Sequence, residues 1–176
     1  MGRSILRYRR TLPAATLAAL LALAPAVVNA ADGGSATPCP RFGSAIVVLS
    51  AARELWLCAR DGAWARFAVA LGRGGVGKRR IGDLRTPLGT YAMGEPRPSE
   101  RYGTFIPIVY PTARQAALGF SGTEVGIHGP PRGMDASTHP TTQVNWTQGC
   151  IATGTDEEVE AIAAFVRERR PLLVIR

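Results

Sequence analysis

In this 176-residue chain only one segment is marked as a helix at both ends, so everything before it must fold mainly from strands. Thr155 is placed to cap that helix. Glu158 completes a Thr-x-x-Glu capping box, and Asp156 and Glu157 favour the positive end of the helix dipole. Val159, Ile162, Ala163 and Val166 recur at helical spacing, and Pro171 stops the run. Upstream, Ala45 to Ser50, Leu55 to Ala59 and Trp64 to Leu71 read as three strands of a meander, with turns at Ala51-Ala52-Arg53 and Asp61-Gly62. Thr86-Pro87-Leu88-Gly89 suits a type I turn before a strand at Thr90 to Gly94. Phe105 to Tyr110, Val125 to His128 and a closing Leu172 to Ile175 supply further strands. The expected fold is mainly β, with one C-terminal helix packed on a sheet.

The first thirty residues stand apart from this pattern. Arg3, Arg7, Arg9 and Arg10 precede an apolar run from Leu12 to Val28 that ends in Val28-Asn29-Ala30, the form of a signal peptide. Pro13 and Pro25 interrupt the run, which falls short of the roughly 20 residues of a spanning helix, so export is favoured over a retained anchor. The expected organisation is a signal peptide over 1–30, an N-terminal tail over 31–44 and one domain over 45–176. The leader arginines supply half of the net charge of +8. The rest is spread along the chain without a basic stripe interleaved with aromatics, which argues against nucleic acid as a partner. The expected location is the periplasm or cell envelope.

Export also gives the cysteines their meaning, because an oxidising compartment joins neighbouring thiols. Cys39 and Cys58 lie 19 residues apart and Cys150 is distant, so Cys39–Cys58 is expected as a disulfide and Cys150 as a free thiol.

Two nucleotide signatures overlap in the basic loop from Gly72 to Gly82: Gly72-x-Gly74-x-x-Gly77, and a near P-loop ending in Gly77-Lys78. Both fail on context. Arg79 follows the lysine where Ser or Thr is needed for magnesium, and Gly82, Pro87 and Gly89 forbid the helix whose N-terminus would face a phosphate. No nucleotide is expected, and the loop reads as a mobile surface segment.

The chemistry concentrates where Val125-Gly126-Ile127-His128-Gly129 is followed, 22 residues after the histidine, by Thr147-Gln148-Gly149-Cys150-Ile151-Ala152. A cysteine and a histidine in one loop-rich region are a candidate nucleophile and base. A lone cysteine is commonly just a small buried hydrophobe. Against that reading, Gly149 leaves no side chain in front of the thiol and the flank Asn145-Trp146-Thr147-Gln148 is polar or amphipathic. An exported protein that keeps an unpaired thiol also risks its oxidation.

At these residues the chain resembles the L,D-transpeptidase catalytic domain, the YkuD-type fold, whose hallmark is His-Gly followed by [Ser/Thr]-x-Gly-Cys. Gly82-Asp83-Leu84-Arg85-Thr86-Pro87-Leu88-Gly89-Thr90-Tyr91 is similar to the family's Gly-Asp-x-x-Thr-Pro-x-Gly-x-Tyr segment, and Val109-Tyr110-Pro111 to its later Tyr-Pro stretch. The resemblance spans Ala45 to Arg176 and implies a β-sandwich-like fold. Many members carry His before the Gly-Cys and Arg two residues after the Cys, where this chain has Gln148 and Ala152. Those differences bear on the choice of substrate.

The resemblance implies peptidoglycan as partner: a tetrapeptide stem cleaved between its L-centred third residue and the terminal D-alanine, with carbapenems as inhibitors and no cofactor. Cys150 would be the nucleophile and His128 the base that takes its proton and leaves an ion pair, with the Gly129 carbonyl orienting the imidazole. Amides of Gly149 and Cys150 would hold the oxyanion. Asn145, Trp146, Thr147 and Gln148 would touch substrate, although Thr147 would equally brace the turn and Trp146 equally pack. The acceptor is left open: an amine gives a crosslink or an anchored protein, and water gives a carboxypeptidase or amidase-type hydrolase. His139 matches no family position. The contrasting expectation is a non-catalytic wall-binding module, or one in which His128, His139 and Cys150 hold a metal, a spacing that matches no zinc motif.

Overall fold

The computed structural model describes residues 37–41, 43–134 and 141–176. Residues 1–30, expected as a signal peptide, and His139 lie outside the described residues. Among those described, no helix is long and apolar enough to cross a membrane.

Nine strands form one sheet: β1 (Ala45–Leu49), β2 (Glu54–Ala59), β3 (Gly62–Ala70), β4 (Gly89–Tyr91), β5 (Arg97–Ser99), β6 (Gly103–Pro107), β7 (Gly126–His128), β8 (Ile151–Thr153) and β9 (Leu172–Ile175), in the order β4-β9-β1-β2-β3-β8-β7-β6-β5. β1, β2 and β3 make the expected antiparallel meander. Its first turn places Arg53 at φ 54, with the Arg53 amide donating to the Ser50 carbonyl. β9 returns parallel to β1 and antiparallel to β4, so the chain's end lies inside the sheet.

β1 shows how the period of two builds both sides of this sheet. Ile46 and Val48 enter the main core with Leu55, Leu57, Ile106, Ile127 and Ile151. Ala45 and Val47 face the other way, into a small cluster with Cys58, Cys39, Trp56 and Val174. A strand covered on both faces needs a continuous apolar run, and Ala-Ile-Val-Val-Leu is one. Cys39 and Cys58 are joined by a disulfide within the smaller cluster.

The long helix α2 (Asp156–Arg169) begins with the reciprocal capping box of Thr155 and Glu158 and ends at Arg170, whose φ of 44 turns the chain into Pro171. Its buried face, Val159, Ile162, Ala163, Phe165 and Val166, joins the main core and packs on β6 and β8. A second helix, α1 (Ala113–Ala117), also carries a capping box, Thr112 with Gln115, but buries no residue. The edge strand β5 contains Pro98, which an edge tolerates because one side of the strand needs no donor. The Thr86–Gly89 segment differs from the expected turn: Thr86 bridges to Val76, and β4 begins directly at Gly89.

Candidate active site

Two short parallel strands make the site. β7 and β8 pair with Ile127 opposite Ile151 and His128 opposite Ala152. Ile127 and Ile151 point into the core, so by alternation His128, the next residue of β7, and Cys150, immediately before β8, face the opposite side together. Residues 22 apart in sequence thereby line one cavity of about 370 Å³, together with Arg73, Arg97, Arg101, Tyr102 and Glu124.

His128 is 1% exposed and held on three sides. Tyr102 stacks on the imidazole at 3.7 Å between ring centroids, and Trp146 meets it edge-on at 5.7 Å. Nδ1 lies 2.7 Å from the Gly129 carbonyl oxygen. A carbonyl can only accept, so Nδ1 carries the hydrogen and Nε2 is left as an acceptor. Burial drives the His128 pKa down to about 4, with Arg101 adding to the effect and the Gly129 bond opposing it.

Cys150 is a free, partly buried thiol whose Sγ donates to the Glu124 carbonyl at 3.4 Å. Burial pushes its pKa up to about 11. Glu124 adds to the rise, while a backbone hydrogen bond from Gly126 and the charge of Lys78 oppose it. No hydrogen bond joins Sγ to His128. Burial penalises the charged form of both groups at once, so both shifts run against the ion pair expected from sequence.

The turn before Cys150 is braced by Thr147. Its hydroxyl donates to the Cys150 carbonyl at 2.7 Å and accepts from the Gly149 amide at 3.1 Å, while its own backbone pairs with Leu71 and Arg73. The Gly149 amide, expected from sequence as an oxyanion donor, is therefore engaged inside the turn. Gly149 itself is at φ 131, and a Cβ there would lie 2.8 Å from the Arg85 carbonyl oxygen, so the turn admits only glycine. Trp146 donates its indole N–H to the Thr141 carbonyl at 2.7 Å, and its ring, like Gln148, lines the cavity. Asn145 does not line it. Its side-chain oxygen accepts from the Leu71 amide at 3.0 Å and ties the segment to the end of β3.

The Gly72–Gly82 loop lies largely at the surface, with Arg73, Arg79, Arg80 and Ile81 exposed, but Gly72 and Lys78 are buried and its backbone is tied to the segment that follows. Gly74 and Gly77 donate to Leu84 and Thr86, Thr86 donates back to Gly75, and a Cβ on Gly72 would lie 2.3 Å from the Leu84 carbonyl oxygen. Gly72 and Gly74 serve close backbone approach, while Gly75, Gly77 and Gly82 are at positive φ. Asp83 organises the loop's end, accepting from Lys78 Nζ at 2.9 Å and from the amides of Arg79, Arg80 and Arg85. Burial alone would raise the Asp83 pKa; the four donors instead hold it well below the usual carboxylate range. Lys78, buried, and Cys150 line a second, smaller cavity of about 190 Å³.

Among the described residues, no group of three His, Cys, Asp or Glu side chains is arranged to hold a metal. Sequence reasoning missed Arg73, Arg97, Arg101, Tyr102 and Glu124. No motif flags them, because they come from the end of β3, from β5 and the β5–β6 turn and from the segment before β7, which meet only when the sheet assembles.

The L,D-transpeptidase catalytic domain (YkuD) family model matches residues 43–174. Among solved structures, the fold is similar to that of the helical cell shape determining protein Pgp2 from Campylobacter jejuni, at 23% identity and a TM-score of 0.62, covering 76% of this chain and 48% of that one. It is also similar to Bd1075 of Bdellovibrio bacteriovorus, at 17% identity and a TM-score of 0.57, covering 80% and 50%. This chain thus spans about half the length of those structures. No curated protein matches it. With the family model covering strands β1 to β8, most of β9, the long helix and both halves of the Cys150–His128 pair, the chain belongs to the L,D-transpeptidase catalytic domain (YkuD) family.

Proposed function

We propose that the protein is an exported, cysteine-dependent L,D-transpeptidase that acts on tetrapeptide stems of peptidoglycan in the periplasm, with a part in wall biogenesis and cell shape. The observation that carries this reading is one cavity shared by Cys150 and an imidazole whose Nδ1 is locked onto Gly129, leaving Nε2 as a proton acceptor.

In this reading the thiol turns from the Glu124 carbonyl toward His128. Nε2 takes its proton as sulfur attacks the carbonyl carbon of the third stem residue, so that charge need not develop on either group before substrate arrives. The oxyanion is held by the Cys150 amide, since the Gly149 amide is committed to Thr147. On collapse the C–N bond breaks, the imidazolium returns its proton to the departing amine of D-alanine, and a thioester remains on Cys150. An acceptor amine then loses a proton to His128, attacks the thioester and releases the thiol. Water in the same place gives the hydrolase. Trp146, Thr147 and Gln148 form part of the cavity wall against substrate; Thr147 also braces the turn, and Asn145 acts on its anchor.

The test is mass spectrometry of products after incubation with a disaccharide-tetrapeptide. Release of D-alanine, lost in Cys150→Ser, is expected. A folded protein with Cys150 shown reduced that releases none would overturn the proposal in favour of a wall-binding module. Supplying a second stem distinguishes a crosslinked product from the tripeptide of hydrolysis.

A further inference from the structure

The cavity around Cys150 and His128 carries more positive charge than acyl transfer from an uncharged peptide would need. Arg73, Arg97 and Arg101 all line it, against the single carboxylate of Glu124. Arg97 is accounted for: its guanidinium pairs with Glu124 at 2.7 Å and lies over the Phe105 ring. Among the described residues, neither Arg73 nor Arg101 has an acidic partner. Arg101 lies over Tyr102, which in turn stacks on His128, so its cation is held beside the base.

Sheet order gives these two cations their meaning. The strands run β3-β8-β7-β6-β5 across the site. Arg73 follows the end of β3, and Arg101 occupies the turn between β5 and β6. Cys150 and His128 belong to the β8 and β7 positions between them. The reacting pair is therefore flanked by one unpaired guanidinium on the β3 side and one on the β5–β6 side. A guanidinium presents a planar fork of donors that matches a carboxylate in two-point contact, and a concave site concentrates the field of its charges on a ligand.

We infer that the cavity selects an acyl donor with one carboxylate on each side of the scissile amide, and that Arg73 and Arg101 are the residues that bind them. This rests on the function proposed above for the reaction itself, and it narrows the substrate class to stems whose carboxylates are free, excluding those carrying carboxamides on either side. Arg97, already paired with Glu124, takes neither.

The experiment compares four synthetic tetrapeptide stems: both flanking carboxylates free, the acyl-side one converted to carboxamide, the terminal D-alanine converted to D-alaninamide, and both converted. D-Alanine or D-alaninamide release is measured with wild type, Arg73→Gln, Arg101→Gln and the two Arg→Lys variants. Binding of the same four peptides to Cys150→Ser is followed by calorimetry. Each conversion is expected to lower wild-type kcat/KM by about tenfold or more, the size of a charge-assisted contact. Each Arg→Gln variant should lose sensitivity to one conversion while keeping the other, and Lys should restore part of it. Equal turnover and equal binding of all four peptides would overturn the inference while leaving the proposed reaction intact. Discrimination in binding to Cys150→Ser without any release by wild type would support the carboxylate contacts and overturn the reaction. If both conversions were sensed equally by each Arg→Gln variant, the assignment of the two arginines would fail.

Discussion

The two cysteine environments of this protein are opposites. Cys58 is fully buried on β2 and bonded to Cys39 in a small apolar cluster on the outer face of the sheet. Cys150 lies just before β8, free, beside a cavity lined by arginines, with a histidine on the neighbouring strand. The first holds the chain segment before β1 against the sheet and has no titratable neighbour in its cluster. The second is surrounded by groups that shift one another's proton affinity. One sheet supports both because alternation along each strand separates a packing face from a reacting one.

That contrast predicts two mutational signatures that do not overlap. Cys150→Ser should reduce turnover to background with little change in Tm, and His128→Ala should lower turnover by about 10²–10⁴-fold with some loss of Tm from the buried ring it removes. Steady-state kinetics beside thermal melts would show this; a large loss of Tm in Cys150→Ser would break the separation. At the other end, Cys58→Ser should leave kcat/KM near wild type and cost about 2–4 kcal/mol of stability for a closed loop of this size, read from denaturant unfolding.

Acid sharpens the comparison further, because only the Cys150 side titrates. With His128 lowered to about 4 when folded and near 6.5 when unfolded, the unfolded chain binds the extra proton between those values. Stability should accordingly fall as pH drops from about 6.5 to 4, by about 3 kcal/mol, and the fall should shrink in His128→Gln. On the alkaline side, with the thiol raised to about 11, alkylation of Cys150 by iodoacetamide should still be accelerating above pH 9. A plateau at neutral pH would restore the ion pair. The smallest effect is expected at Thr147→Val, which strips partners from the Gly149 amide and the Cys150 carbonyl: about 1–3 kcal/mol of stability, largely recovered by Thr147→Ser.

Local signals and long-range ones were not equally legible. The ends of α2 were readable because Thr155, Glu158 and Pro171 act within a few residues of where they stand, and β1 to β3 because alternation and turn residues are also local. The same capping pattern at Thr112 and Gln115 went unread, since five residues without a buried face leave no periodicity to find. β5 was hidden by Pro98. In the site, the motif marks Cys150 and His128, but the burial that disfavours charge on both leaves no local signal, because it comes from Tyr102, Trp146 and the Glu124 segment, which only the parallel register of β7 and β8 brings near. Asn145 shows the same limit: its side-chain oxygen accepts from the Leu71 amide, 74 residues away in sequence, which no local pattern reveals.

The central claim is that Cys150 forms an acyl-enzyme with His128 as its base, and a carbapenem tests it without reference to the acceptor. Its strained carbonyl is an acyl donor, so ring opening by Sγ leaves a stable mass increment on the protein. Intact-mass measurement on reduced, folded protein should show one adduct per chain, absent in Cys150→Ser and formed more slowly in His128→Ala. No adduct on the wild-type chain with Cys150 demonstrably free, or an adduct that persists in Cys150→Ser, would contradict the account.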